Sequence, residues 1–257
     1  MNRERTYHTE AVVLRRADFG EADRILTIYT PHLGKRRVIA KGVRKIGSRK
    51  AGHLEPFMHS RLFLARGRNL DIITQAETIH AFRPLREDLL RASYACYLAD
   101  LLDSFVGEEV ENPPLFKLLV ETLDRLSSSQ DPRLTARYYE LHLLALVGYQ
   151  PQFFYCVNCH NPIEPVNNFF HPTEGGVLCP RCGEGRSGAR AISLNALKVL
   201  RFLQTRDYPT CMRLRLSTPL HDELEGLMHR YITYLLERNL KSVAFLRRLR
   251  REGYIED

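Results

Sequence analysis

The stretch ADFGEADRILTIYTPHLGKRRVIAKGVRK, running from Ala17 to Lys45, carries the reading of the fold. Arg24–Tyr29 is a short β-type run, and Gly34–Val43 is a second one. Asp18-Phe19-Gly20 precedes the first, and Pro31-His32-Leu33-Gly34 separates the two. Residues of these types fix or reverse backbone angles that a strand interior does not use, so the pair reads as strand, turn, strand. In a strand from Gly34 to Val43, Lys35, Arg37, Ile39 and Lys41 share one side, while Val38 and Ala40 occupy the other. Val38 and Ala40 suit an interior, which places the three cations outside.

The same rhythm extends from Tyr7 to about Phe82. Thr9–Leu14 comes first, and Phe57–Leu64 and Leu70–His80 follow, with breaks at Gly47 to Gly52 and at Gly67-Arg68-Asn69. Five short strands in about 75 residues predict a small barrel, for which an OB-fold is the five-stranded candidate; an SH3-like barrel would show much the same pattern.

Beyond Pro84 the period becomes helical. Leu85, Leu89, Leu90, Ala92, Tyr97, Leu98, Leu101 and Leu102 recur at three- and four-residue spacing and predict one long helix ending near Gly107. Pro113-Pro114 opens a second helix, and Asp131-Pro132 opens a third that runs to Gly148. Ser193 is the expected N-cap of a fourth, and further helices span about Leu220 to Arg238 and Val243 to Arg251. The expected class is α+β: an N-terminal five-stranded OB-fold barrel over 1–82, an all-helical domain over 83–152 and 191–257, and an insertion over 153–190.

Metal organises the insertion in this reading. Cys156-Val-Asn-Cys159 is followed after 19 residues by Cys179-Pro-Arg-Cys182. Two residues between cysteines let both thiolates of a tight turn face one ion, and two such turns complete a tetrahedron. Cys156, Cys159, Cys179 and Cys182 are therefore the expected ligands of one structural zinc, although spacing alone does not separate zinc from iron. Four thiolates leave no open position for catalysis. His160 and His171 are the alternative ligands, while Cys96 and Cys211 read as buried thiols.

Charge is distributed unevenly. Residues 1–80 hold 16 Lys+Arg against 8 Asp+Glu, which accounts for the whole formal net charge of +8. No acidic residue occurs between Asp23 and Glu55. Cations without counter-charges form an anion-binding surface, and a nucleic-acid backbone is its usual partner. The expected DNA-binding residues are Lys35, Arg37, Lys41, Arg44, Lys45, Arg49 and Lys50, the last four on a flexible loop from Arg44 to His53 whose Gly47 and Gly52 let it follow phosphates. Phe19, Tyr29, Phe57 and Phe63 are the candidate base-stacking aromatics. Asp18, Glu21 and Asp23 could suggest a magnesium site, but Arg24 and Arg15 are close enough in sequence to pair with them. No phosphate loop, nucleophile elbow or His-Glu-x-x-His occurs, so no catalytic residues are expected. The start of the chain lacks an apolar run, and no bilayer-spanning stretch occurs, so the expected setting is cytoplasmic and nucleoid-associated.

The segment 17–45 resembles the first hairpin of the bacterial RecO DNA-repair proteins, with its Gly-Glu-x-Asp-Arg, Gly-Lys turn and Ala-Lys-Gly-x-Arg. Leu54-Glu-Pro-Phe57 and a cysteine ribbon after Gly148-Tyr-Gln-Pro151 are similar to further features of that family. The resemblance implies an OB-fold, a helical body and no nucleotide hydrolysis. It also implies binding of single- and double-stranded DNA, annealing of complementary strands, and loading of recombinase together with RecR on strands coated by single-stranded-DNA-binding protein (SSB), whose acidic tail is contacted. RecF is a further partner that the family raises. The Arg247–Arg251 run, with Phe245 and Leu246, is the candidate tail contact, and Arg213 and Arg215 show similar mixing; a plain solvated C-terminal helix is the alternative. The rival reading is a zinc-ribbon transcription or RNA-binding factor using the same basic barrel, and a metal-dependent nuclease is third.

Overall fold

The computed structural model describes residues 5–255. Strands β1 (Thr6–Phe19), β2 (Asp23–Thr30), β3 (Gly34–Ala40), β4 (His59–Ala65) and β5 (Asp71–His80) close a barrel in the order β1-β2-β3-β5-β4. β1 serves two neighbours: its first half pairs with β4 and its second half with β2, and a register shift between Val13 and Arg15 lets it bend from one to the other. Closure comes from the parallel contact of Val38 and Ile39 on β3 with Asp71 and Ile72 on β5. Alternation sends Val38, Ala40, Leu26, Ile28, Leu62 and Leu64 into one interior.

β3 ends at Ala40 and not at Val43. Gly42 takes a positive φ of 65° and donates its N–H to Asp23 Oδ1 at 2.7 Å, which turns the chain out of the sheet. Val43 nevertheless stays in the core at 1% exposure and pins the start of the following loop.

Helices α1 (Pro84–Glu87), α2 (Leu89–Phe105) and α3 (Pro113–Ser128) belong with the barrel, because the chain divides into two compact units, Met1–Ser128 and Ser129–Asp257. The expected helical body of 83–152 and 191–257 is thus split between units. Helical periodicity reveals that a face is buried, but not what it is buried against. The single long helix expected from Leu85 is also interrupted: Asp88 is extended (φ −120°, ψ 123°), and its carboxylate accepts the Arg91 N–H at 2.8 Å as an N-cap. From α3, Phe116 packs on Tyr29 and His59 with ring centroids 6.2 and 5.6 Å away, covering part of the barrel.

The second unit contains α4 (Pro132–Leu146), the strands β6 (Asn168–His171), β7 (Gly176–Leu178) and β8 (Arg190–Ile192), the one-turn α5 (Pro180–Gly183), and helices α6 (Leu194–Thr205), α7 (Tyr208–Cys211), α8 (Thr218–Leu236) and α9 (Lys241–Arg251). Asp131 and Ser193 cap α4 and α6 by accepting the N–H of Leu134 and Ala196, as their sequence positions predict. The three strands form one sheet, ordered β7-β6-β8. The segment 153–190 shares its core with the helices. Phe170 lies between Phe153 and Tyr231 of α8, 6.1 and 5.5 Å away, and Arg201 of α6 donates to the Phe153 carbonyl at 2.9 Å. No helix among the described residues is long and apolar enough to cross a membrane.

Candidate nucleic-acid interface and metal centre

The seven cations expected to form a DNA face separate into two groups. Arg37, Lys41, Lys45 and Arg49 are exposed, with no described acid at ion-pair distance. Lys35 and Lys50 are turned to the protein. The Lys35 ammonium donates to the Asp103 carbonyl at 2.7 Å and pairs with its carboxylate at 3.1 Å. The segment after α2 runs directly over this end of β3: Glu109 donates its N–H to the Lys35 carbonyl, and a Cβ on Gly34 would sit 2.4 Å from the Val110 carbonyl oxygen. Strand alternation places Lys35 on the outer side correctly, but residues some 70 positions downstream cover that side. Lys50 donates to the Ile73 carbonyl at 2.8 Å, and burial holds its ammonium below the ordinary value. Arg44 is intermediate between the groups, exposed but 3.5 Å from Asp18.

The loop that carries these residues is a chain of hydrogen-bonded turns, not the flexible tether expected. Arg44 N–H reaches Ala22 O at 2.9 Å, Lys45 N–H reaches Gly42 O at 3.2 Å, and Ser48 N–H reaches Lys45 O at 2.9 Å, before a single 3-10 turn at Ala51–His53. At its tip stands Ile46, at 108% relative exposure, a residue the sequence reading passed over. The available signal was an apolar side chain inside a basic, glycine-bearing turn.

Only Phe19 and Phe63 of the four candidate aromatics are exposed; Tyr29 and Phe57 are buried at 0% and 6%. Two members of the acidic cluster, Asp18 and Asp23, have structural partners. Asp18 pairs with Arg24 at 3.0 Å and Asp23 caps Gly42, whereas Arg15 pairs with Asp100 and Asp103 and not with this turn.

The four cysteines converge. The Sγ atoms of Cys156, Cys159, Cys179 and Cys182 all lie within 4.8 Å of one another, with Cys159 and Cys179 3.9 Å apart. Sulfurs about 3.8 Å apart are what a tetrahedron with ~2.3 Å metal–sulfur bonds requires. α5 begins at Pro180, and Cys182 and Gly183 both donate N–H to the Cys179 carbonyl, which folds one pair into a tight turn. Gly183 is obligatory there, since a Cβ would come 2.5 Å from the Phe169 ring. Burial raises the Cys156 thiol, but the backbone N–H groups of Cys159, Cys179 and Asn158 outweigh it and bring the thiol down to about 6. The donor set and the amides facing it fit a metal ion, and the residues could hold one. His171 instead reaches the Ser187 carbonyl at 3.0 Å, so neither candidate histidine joins the cluster. Of the remaining thiols, Cys211 is buried as expected and Cys96 is exposed.

A basic barrel and a four-cysteine ribbon within a helical unit define the class of protein, and comparison with known proteins gives the family. The profile described as Recombination protein O N terminal matches residues 1–82, and that described as Recombination protein O C terminal matches residues 86–244. The chain is 46% identical over 244 residues to the DNA repair protein RecO of Roseiflexus sp. (strain RS-1), covering 95% of this chain and 86% of that one. It is 39% identical over 251 residues to DNA repair protein RecO of Dehalococcoides mccartyi, covering 98% and 99%. With DNA repair protein RecO of Desulforamulus reducens it shares 37% identity over 243 residues, covering 95% and 94%. The chain belongs to the RecO family of DNA repair proteins.

Proposed function

We propose that this protein is a recombination mediator that binds single- and double-stranded DNA through an OB-type barrel, anneals complementary strands, and helps load recombinase with RecR on SSB-coated single strands. The observation that carries the reading is the exposed set Arg37, Lys41, Lys45 and Arg49, which offers phosphates a surface with no acidic competitor among the described residues. Such a surface offsets repulsion between two backbones and so favours annealing without a nucleotide. The barrel order β1-β2-β3-β5-β4, with parallel β3–β5 closure, supports the OB assignment. No residue is assigned a catalytic role.

Zinc held by Cys156, Cys159, Cys179 and Cys182 would supply a closed structural site. The thiolates fix the two turns, Gly183 admits the Phe169 ring beside them, and Phe170 joins the ribbon to α8. The site assigned to the acidic SSB tail is the groove of about 430 Å³ lined by Leu240 and Val243 together with Arg247, Arg248 and Arg251, of which Arg248 pairs with Glu252 at 2.8 Å. This arrangement suits an acidic peptide with apolar side chains.

Gel shifts on single strand, duplex and RNA, with and without magnesium, test the proposal. Both DNA forms should bind without sequence preference, and complementary strands should anneal without ATP. Strong preference for one duplex sequence or RNA fold would favour the transcription or RNA-binding reading. Magnesium-dependent loss of substrate would favour a nuclease.

A further inference from the structure

We infer that Ile46 is an apolar wedge that enters the base stack of DNA held by the barrel, so that the protein unstacks bases as well as gripping phosphates. This rests on the DNA-binding reading above and goes beyond it.

A lone exposed apolar side chain is ordinary on a protein surface. The position of this one is not. Ile46 is 108% exposed, at the first corner of the Lys45–Ser48 turn, and no other side chain shields it. Exposed Lys41, Lys45 and Arg49 bracket it, with no described acid paired to any of them. A strand whose phosphates settle on these cations would pass the exposed Ile46 side chain. Gly47 follows immediately, and a Cβ built there would find nothing within 4 Å, so a flat base has room beside the wedge.

A wedge needs a firm base, and the loop has one. Val43 is anchored in the barrel core, Arg44 and Lys45 are tied by backbone hydrogen bonds, and Lys50 is fastened to Ile73 on β5. β-Branching limits the rotamers of Ile46, so little side-chain freedom is lost on insertion. Two of the four candidate aromatics, Tyr29 and Phe57, are inside the protein and cannot stack on a base; Phe19 and Phe63 are exposed but lie outside this loop. Insertion of aliphatic side chains between bases is a known way to unstack nucleic acid. Unstacked bases present their pairing edges, which an annealing surface requires.

The test uses the full chain and oligonucleotides carrying 2-aminopurine at successive positions, whose fluorescence rises when the base leaves the stack. Binding is read separately by gel shift. At saturating protein we expect a rise of about twofold or more at one or two positions. Ile46→Ser should abolish that rise at saturation while leaving the salt dependence of binding unchanged, and Ile46→Leu should retain it. An equal rise with Ile46→Ser, or saturated binding by the wild-type chain with no rise at any position, overturns the wedge and leaves the DNA-binding reading intact. Absence of any gel shift overturns both.

Discussion

Two sets of cations, one in each unit, are used in opposite ways. In the first, Arg37, Lys41, Lys45 and Arg49 stand in water without acidic partners among the described residues. In the second, Arg133 and Arg137 are buried at 6% and 5% on α4, and Glu140 is buried completely beside them. Arg133 reaches Asp222 at 2.6 Å, Arg250 reaches Glu225 at 2.9 Å, and Arg137 pairs with Glu140, so that α4, α8 and α9 meet through charge. The difference teaches how to read a charge balance. Each unit carries a formal net charge of +4, so the balance alone does not tell them apart; what differs is whether a cation is packed against acids inside the fold or left in water where it can attract a partner.

The largest expected disruption to folding comes from the ribbon of the second unit. Metal analysis should give about one zinc per chain, and Cys179→Ser should lose the metal and lower thermal stability while DNA affinity falls much less. Two zincs per chain, or none with the fold intact, would remove the structural site. Next comes the buried charge. Glu140→Ala leaves Arg137 desolvated without its paired carboxylate and should cost about 3–5 kcal/mol in denaturant melts, whereas Arg137→Leu with Glu140→Leu should cost clearly less than the single change. Equal costs would mean that Arg137 does not depend on Glu140. Burial raises the Glu225 carboxyl, but Arg137, Arg250 and Arg133 outweigh it and hold it below its ordinary 4.5. Its contribution is therefore complete above pH 4.5 and is lost as pH falls through the depressed folded value.

Much of this contrast was legible in the sequence, and the gaps have physical causes. Turn residues marked the limits of the first three strands, since Gly20, Gly34 and Gly42 hold positive φ angles where β1 ends, β3 begins and β3 has ended. Cysteine spacing marked the four-thiol cluster because a tight turn has little geometric freedom. Local caps such as Asp131 and Ser193 were readable, but the break at Asp88 was hidden by leucines on both sides. What the sequence could not reveal was coverage. Asp103 takes Lys35 and the Ile73 carbonyl takes Lys50, through contacts 68 and 23 residues away. Arg133 looks like any surface cation until α8 supplies Asp222 and Glu225.

The smallest effect on folding should belong to the free cations, and that is where binding should change most specifically. Lys45→Ala with Arg49→Ala removes two exposed charges that make no described ion pair, so stability should change by no more than a few tenths of a kcal/mol. If the four free cations each neutralise a phosphate, affinity for single-stranded DNA should fall with salt at a log–log slope of roughly −3, at ~0.7 per contact. The double variant should make that slope shallower by about 1.4 and weaken binding alike on unrelated sequences. Lys198→Ala with Arg206→Ala in the second unit is the matched control, because both residues are exposed. Arg133 would be a poor control, since it is buried against Asp222 and Glu225 and its loss perturbs packing. Should the control pair flatten the slope while the loop pair leaves it unchanged, the free cations of the barrel would not be the phosphate surface. The contrast between the units would then be one of packing and not of function.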